Sequence, residues 1–138
     1  MNRGIEMVSD LRPIIPKSYT LKLTIDSGRK GLEAIFRPYQ ARLLERLWEL
    51  NKGNGERVGV NSGSAHKWLL DKPEKKSRAS VIFFLNDMVA AGILDFKERT
   101  GKGGYHRIYY PTMTETEFWI WFKSKVKQTL IEASHGLI

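Results

Sequence analysis

The stretch Lys75–Pro111, KKSRASVIFFLNDMVAAGILDFKERTGKGGYHRIYYP, decides the fold expected for this chain. Its first half predicts an amphipathic helix that begins after Ser77 as N-cap and ends at Gly92. The buried stripe of that helix is predicted to consist of Val81, Leu85 and Met88. The TGKGG segment that follows supplies the flexible tip of a β-hairpin, on which Ile108 and Tyr110 return on one face. A helix followed by a basic hairpin can offer base contacts and phosphate contacts to DNA from one short segment.

Two further helices are predicted upstream. Pro38 suits the first position of a helix, because its missing N–H is not needed there. The apolar face of this first helix comprises Ala41, Leu44, Leu47 and Trp48. Arg57–Val60 is predicted to be a small strand, and a second helix runs from a cap at Ser62 or Ser64 to Leu70.

The N-terminal region carries weaker signals. Residues 1–18 are predicted to form a flexible arm, because charges and two prolines interrupt every apolar run. Tyr19–Asp26 alternates apolar and polar residues, which predicts a half-buried strand extension. Leu32–Phe36 fits either a short helix or a continuation of that strand.

A C-terminal helix is predicted from Thr114, which makes a capping-box spacing with Glu117, to Ala133. One side of it is rich in aromatic residues, more than a small helical core usually absorbs. We therefore expect this helix to form a dimer interface; the alternative is that it packs back on its own domain. The predicted interface residues are Phe118, Trp119, Trp121, Phe122, Val126 and Leu130.

The order of these elements looks like an α+β winged helix-turn-helix, with a three-helix core and a β-hairpin wing. Three segments are expected: a flexible N-terminal arm (1–18), a winged-helix domain with an N-terminal strand extension (19–112), and a C-terminal dimerisation helix (113–138). With 138 residues the chain is too short for two full-sized domains to be expected.

About half of the chain, Pro38–Pro111, resembles the penicillinase repressor family and related archaeal winged-helix regulators. The similar segments are PYQARLLERLWEL, SVIFFLNDMVAAGIL and TGKGGYHRIYYP. The residues that match the family's pattern are Leu47 and Trp48 in the first helix, Val81, Leu85, Met88 and Gly92 in the third, and Gly101, Lys102, Tyr109 or Tyr110, and Pro111 in the wing. The resemblance implies a dimer, built through the C-terminal helices, whose third helices occupy the half-sites of a palindromic operator.

The third helix departs from the family's pattern in its outward residues. Phe83, Asp87 and Ala91 stand where the family usually has threonine, arginine and lysine. Ile82 and Phe83 could contact thymine methyl groups, face a protein partner or pack under the wing, and the sequence leaves these alternatives open.

The charge of the chain points to an acidic partner. The net charge is +8 and the pI is about 9.8, which favours nucleic acid or an anionic membrane surface, unless the charge only aids solubility. The third-helix candidates for DNA contact are Lys75, Lys76, Ser77, Arg78, Ser80 and Asn86. The wing candidates are Lys97, Arg99, Lys102, His106 and Arg107. Arg78 suits a guanine edge and Asn86 an adenine edge, whereas a solvated cap and a lysine-protected sheet edge are the alternatives.

Other classes of function find little support in the sequence. The chain has no cysteine, which fits an intracellular, cytoplasmic protein. It has no long apolar run, so no membrane segment is expected. His66, His106 and His135 are isolated from one another, so we expect no metal site, no cofactor and no enzymatic activity.

Two hypotheses about function follow. The first is a sequence-specific, dimeric, DNA-binding transcriptional regulator, a repressor that occupies its operator on double-stranded DNA. The alternative is a winged-helix protein-interaction module within a transcription, replication or RNA-binding assembly. No separate ligand-binding domain is expected, although a cleft between the terminal helix and the core could admit a small apolar effector.

Overall fold

The protein has an α+β fold in which helices pack on one face of an antiparallel sheet. The computed structural model describes residues 5–8, 22, 24–53, 57–101 and 104–135. Within these residues the elements are β1 (Ile5–Val8), a 3₁₀-helix (Gly31–Ala34), α1 (Pro38–Leu50), β2 (Arg57–Asn61), α2 (Ser62–Leu69), α3 (Arg78–Ala90), β3 (Leu94–Gly101), β4 (Gly104–Pro111) and α4 (Glu115–Ala133). This arrangement is compatible with a winged-helix-like fold without being specific to it.

Local side-chain bonds explain where the helices begin. The Ser77 hydroxyl accepts a hydrogen bond from the Ser80 N–H at 3.2 Å, which confirms the predicted cap of α3. The predicted capping box of α4 is also confirmed. Helix α2 is capped by Asn61, whose Oδ1 accepts from the Ser64 N–H at 2.7 Å, so the predicted serine caps were wrong. The reason is that α2 follows β2 without a loop, and the last strand residue is therefore the one in the capping position.

The sheet has the strand order β1-β2-β4-β3, and all neighbouring strands are antiparallel. The predicted hairpin of β3 and β4 is confirmed, with Leu94 opposite Pro111 and Gly101 opposite Gly104. The prediction of a flexible arm over residues 1–18 was wrong for Ile5–Val8, which pairs with β2 along its whole length. The rest of that arm lies outside the described residues.

The predicted strand extension is not present where the structure describes it. Residues 19–21 and 23 lie outside the described residues, whereas 22 and 24–26 are exposed and form no strand. Ile25, one of the apolar residues of that alternation, is 56% exposed. The sheet topology gives a partial reason: β1 already occupies the edge of β2, so this segment does not extend the sheet there. The undecided Leu32–Phe36 segment begins within the 3₁₀-helix and contributes Leu32, Ile35 and Phe36 to the core.

The main core lies between the helices and the face of the sheet that carries Val60, Leu94 and Tyr109. The predicted stripe of α3 is buried as expected. Helix α4 belongs to the same core, because Phe118 and Phe122 are buried in it and the indole N–H of Trp48 donates to the Met113 carbonyl at 2.9 Å. Segment 113–138 is therefore not a separate appendage over its first turns.

Two of the six predicted dimer-interface residues are thus core residues of a single chain. Phe118 has 0% exposure and Phe122 is buried, so neither offers surface to a second copy. Trp119, Trp121 and Val126 are partly buried against the same core. Leu130 is 63% exposed, and every residue from 127 to 135 is exposed. Part of the aromatic side is therefore covered within one chain, since Phe118 packs against Phe36 and Trp48.

Candidate nucleic-acid interface

The start of α3 presents the positive charge that the sequence predicts there. Lys75, Lys76 and Arg78 are all exposed, next to the N-terminal end of the helix. The Lys76 ammonium lies 5.7 Å from the centre of the Tyr39 ring, in cation–π range. Ser77 and Ser80 are bonded to each other, hydroxyl to hydroxyl at 3.0 Å, so both are occupied in capping. The three cations lie at the helix end where free N–H groups also favour the binding of an anion.

Arg78 leans towards α2. Its guanidinium lies beside Gly63, where the nearest nitrogen is 3.5 Å from the position that a Cβ at Gly63 would take. As the first residue of α3, Arg78 therefore sits in the angle between the two helices, exposed but to one side of the outward surface of α3. From this position its side chain can reach a phosphate or a base edge next to the helix start.

The outward surface of α3 is apolar and acidic. Ala79, Phe83 and Asp87 are exposed and recur at intervals of four residues, which places them along one side. After Arg78 the helix contains no lysine or arginine. Phe83 is 70% exposed, whereas Ile82 is partly buried, so the predicted Ile82–Phe83 pair does not act as one exposed patch.

Asn86 joins α3 to the hairpin. Its Oδ1 accepts hydrogen bonds from the Tyr109 hydroxyl at 2.7 Å and from the Arg107 guanidinium at 3.1 Å. Burial is the largest cause of a raised pKa at Tyr109, so this hydroxyl stays a donor at neutral pH. A fork to adenine needs the amide oxygen of asparagine as an acceptor. Because two protein donors already use that oxygen, Asn86 positions the wing and is not set up to read adenine.

The predicted basic residues of the wing divide between the two faces of the hairpin. Residues directly opposite each other in an antiparallel pair share a face, and residues adjacent along a strand point to opposite faces. Arg99 lies opposite His106, and Lys97 lies opposite Ile108, which puts these basic residues on one face. Arg107 is on the other face, which is directed towards α3. The guanidinium of Arg107 stacks 4.0 Å from the centre of the Phe96 ring. Lys102 lies outside the described residues.

The face of the hairpin that points away from α3 also carries the small buried pair Ile108 and Tyr110, as the sequence predicts. Towards the tip, Tyr105 is exposed on the α3 side and its hydroxyl donates to a carboxylate oxygen of Glu98. That hydrogen bond raises the pKa of Tyr105. Arg107 lies directly opposite Glu98, so the acid partly offsets the positive charge of this face.

A pocket of about 710 Å³ lies between the end of α1 and the start of α4. Trp48, Met113 and Trp119 form its apolar wall, while Lys52 and Glu115 are charged. The cleft predicted between the terminal helix and the core is therefore present, with a mixed lining in place of an apolar one.

Comparison of the chain with models of protein families, with curated proteins and with solved structures found no match. Among the described residues, no group of three or more acidic, histidine or cysteine side chains is arranged to hold a metal ion. None of the helices in that part of the chain combines the length and the apolar character that crossing a bilayer requires.

Sequence reasoning identified the cations at the start of α3 but missed the joint made by Asn86. It also grouped all wing cations together, although strand alternation alone separates Arg107 from His106. That alternation was the available signal, and it required only the pairing of β3 with β4. The contact between Asn86 and Tyr109 spans 23 residues and has no local signal.

Proposed function

We propose that this chain is a winged helix-turn-helix DNA-binding protein, similar in kind to the penicillinase repressor family. In this proposal it is a sequence-specific, dimeric regulator of transcription in the cytoplasm, and it represses by occupying a palindromic operator on double-stranded DNA. Helix α3 lies in the major groove, and the hairpin β3–β4 lies along the neighbouring backbone.

The observation that carries the proposal is the joint between α3 and the hairpin. Through Asn86, the helix and the hairpin face that holds Arg107 are fixed to each other by two hydrogen bonds. The exposed cations of Lys75, Lys76 and Arg78 stand at the start of the same helix. The basic start of α3 and the basic hairpin are therefore held beside each other. Their contacts with the DNA backbone can set the register in which α3 meets the base edges.

Selection of bound sequences from a random duplex pool, at two salt concentrations, tests the proposal. We expect a palindromic motif and an affinity that falls steeply with salt, because each neutralised phosphate releases counterions. Arg78→Ala is expected to relax the preference at one base position by about 1–3 kcal/mol. Lys102→Ala is expected to weaken binding equally on all sequences.

The matched control is Lys125→Ala, which removes one exposed positive charge from α4. If Lys125→Ala weakens DNA binding as much as Arg78→Ala does, the loss is caused by the lower net charge. It then gives no support for a specific contact from α3. Recovery of no preferred sequence with any variant contradicts a sequence-specific regulator.

Dimerisation through α4 is the second part of the proposal, and we propose that its interface lies at the exposed end of the helix. The helix has 19 residues and is about 28 Å long. Its core contacts involve Phe118, Phe122 and the partly buried Val126, and Leu130 follows on the same side beyond them. Leu130→Glu is expected to give monomers by light scattering without unfolding the chain, and an unchanged mass contradicts this interface. Trp121→Glu is less suitable, because the Trp121 ring lies 6.0 Å from Phe118.

A winged-helix protein-interaction module is the second candidate, and the exposed ring of Phe83 favours it. An apolar side chain on a helix that has no cation after Arg78 suits a protein partner as well as a nucleic acid. A photo-crosslinking phenylalanine analogue at position 83 separates the two. Adducts in cells that nuclease trims to the mass of the chain support the regulator, and adducts that resist nuclease and keep the added mass of a second polypeptide support the interaction module.

A further inference from the structure

Three exposed residues, Ala79, Phe83 and Asp87, form a row along α3. Their side chains suit some base edges better than others. In the major groove, thymine is the base that presents an apolar group, its 5-methyl, and alanine and phenylalanine are side chains that contact it. Cytosine presents a 4-amino donor, which a carboxylate accepts. None of these three residues forms the guanidinium–guanine fork that is the commonest specific contact.

We propose that this row reads pyrimidines, with Ala79 and Phe83 against thymine methyl groups and Asp87 accepting from the amino group of cytosine. This inference rests on the proposed function, since it requires α3 to lie in the major groove. It adds the identity of the bases and makes Phe83 the main specificity-determining residue.

Exposure and spacing support this assignment. The ring of Phe83 is 70% exposed, and it stands in the middle of a 13-residue helix. Residues four apart in a helix are separated by about 6 Å along the axis, which is close to two base steps of about 3.4 Å each on one strand. The three side chains therefore match bases spaced two apart, and need not crowd on one base pair.

The polar side chains next to this row are bonded within the protein, so the base contacts fall to Ala79, Phe83 and Asp87. The oxygen of Asn86 is used by Tyr109 and Arg107, so the adenine partner of a thymine is not read from this position. Ser80 is bonded to Ser77. Among the described residues, no cation lies within ion-pair distance of the exposed Asp87 carboxylate, which is therefore available to a donor.

Replacement of thymine by deoxyuridine tests the methyl contacts, because it removes the methyl group and leaves base pairing unchanged. On the duplex recovered by selection, each contacted methyl is expected to contribute about fourfold in affinity, the value for one buried CH₂. The probes are the thymine duplex and its single deoxyuridine replacements, measured by fluorescence anisotropy.

Variants at Phe83 test whether this side chain makes the contact with the thymine methyl group. Phe83→Ala is expected to bind the thymine duplex at least fourfold more weakly and to lose the difference between thymine and deoxyuridine at one position. Phe83→Leu keeps an apolar contact, and we expect it to retain that difference. Ile120→Ala is the matched control, because Ile120 is an apolar residue that is 66% exposed and belongs to α4.

Asp87→Ala is judged by the ratio of affinities for cytosine and for other bases at one position. The ratio is the readout, because loss of a negative charge strengthens binding to every duplex. A fall of the cytosine preference by tenfold or more supports the assignment, and an unchanged ratio overturns it for Asp87.

The outcomes distinguish this inference from the function on which it rests. Equal affinity for the thymine duplex and its deoxyuridine replacements overturns pyrimidine reading, while the sequence preference found by selection still supports the proposed function. Selection that finds no base preference overturns both pyrimidine reading and sequence-specific regulation. Failure of the wild-type protein to bind any duplex at low salt removes the proposed function as well.

Discussion

Replacing Phe118 by alanine tests whether α4 is part of the core of one chain. The Phe118 side chain has no exposed surface, and its ring lies 5.5 Å from Trp48, 5.9 Å from Phe122 and 6.0 Å from Phe36. Full burial of a phenylalanine contributes up to about 3 kcal/mol, and aromatic pairs add about 0.5–1.5 kcal/mol beyond burial. Together with the cavity left behind, we expect a loss of about 4 kcal/mol in the free energy of unfolding, within the usual range of about 3–5 kcal/mol.

The measurement is urea unfolding followed by tryptophan fluorescence, at two protein concentrations that differ about tenfold. We expect the loss to be the same at both concentrations, because every ring around Phe118 belongs to its own chain. Ile120→Ala serves as the control, since Ile120 is exposed on the same helix and should cost less than about 0.5 kcal/mol. A loss for Phe118→Ala below about 1 kcal/mol, or one that grows on dilution, would refute this reasoning and place the residue between subunits.

Three other substitutions have defined outcomes. Gly59→Ala should lower the melting temperature, because its Cβ would lie 2.6 Å from Ile108 Cγ2, and crowding of this kind costs about 1–3 kcal/mol; an unchanged temperature contradicts the close approach. Asn86→Ala should cost about 1–3 kcal/mol by leaving the Tyr109 hydroxyl unpaired, and should speed hydrogen exchange in β4 but not in α4. The hydrogen bond from the Thr114 N–H lowers the pKa of the Glu117 carboxyl group. The ionised carboxylate of Glu117 therefore stabilises the fold above pH 4.5, and this stabilisation is lost as the pH falls through the lowered pKa. Glu117→Gln keeps an acceptor and should remove this acid-dependent part, as thermal melts between pH 2 and pH 6 will show.

The local signals in the sequence predicted most of the helices and the hairpin. Ser77, and Thr114 with Glu117, each use a side chain to satisfy N–H groups within three residues, so the signal is complete in the sequence itself. The predicted hairpin was confirmed for the same reason, because its turn lies between the two strands that it joins. Winged-helix function and dimerisation remain predictions.

The errors arose where an element depends on distant partners. Residues 24–26 belong to an alternation typical of a strand, but a strand forms only beside a partner, and β1 is the segment that pairs with this edge of β2. The sequence also does not show how much of the aromatic side of α4 is covered within one chain, because Phe36 and Trp48, which pack on Phe118, are far from it in sequence.

By itself, the sequence determined the periodicity, the caps and the turn of this protein, because these depend on residues within one or two turns of each other. It also determined the net charge, which follows from the composition alone. Tertiary structure alone decided which surface of each element meets solvent. It turned Arg107 towards α3 and Phe118 into the core, and it left Phe83 outside. The physical reason is that burial is shared among segments far apart in the chain, so one helix face is covered only if another element has the shape and the position to cover it.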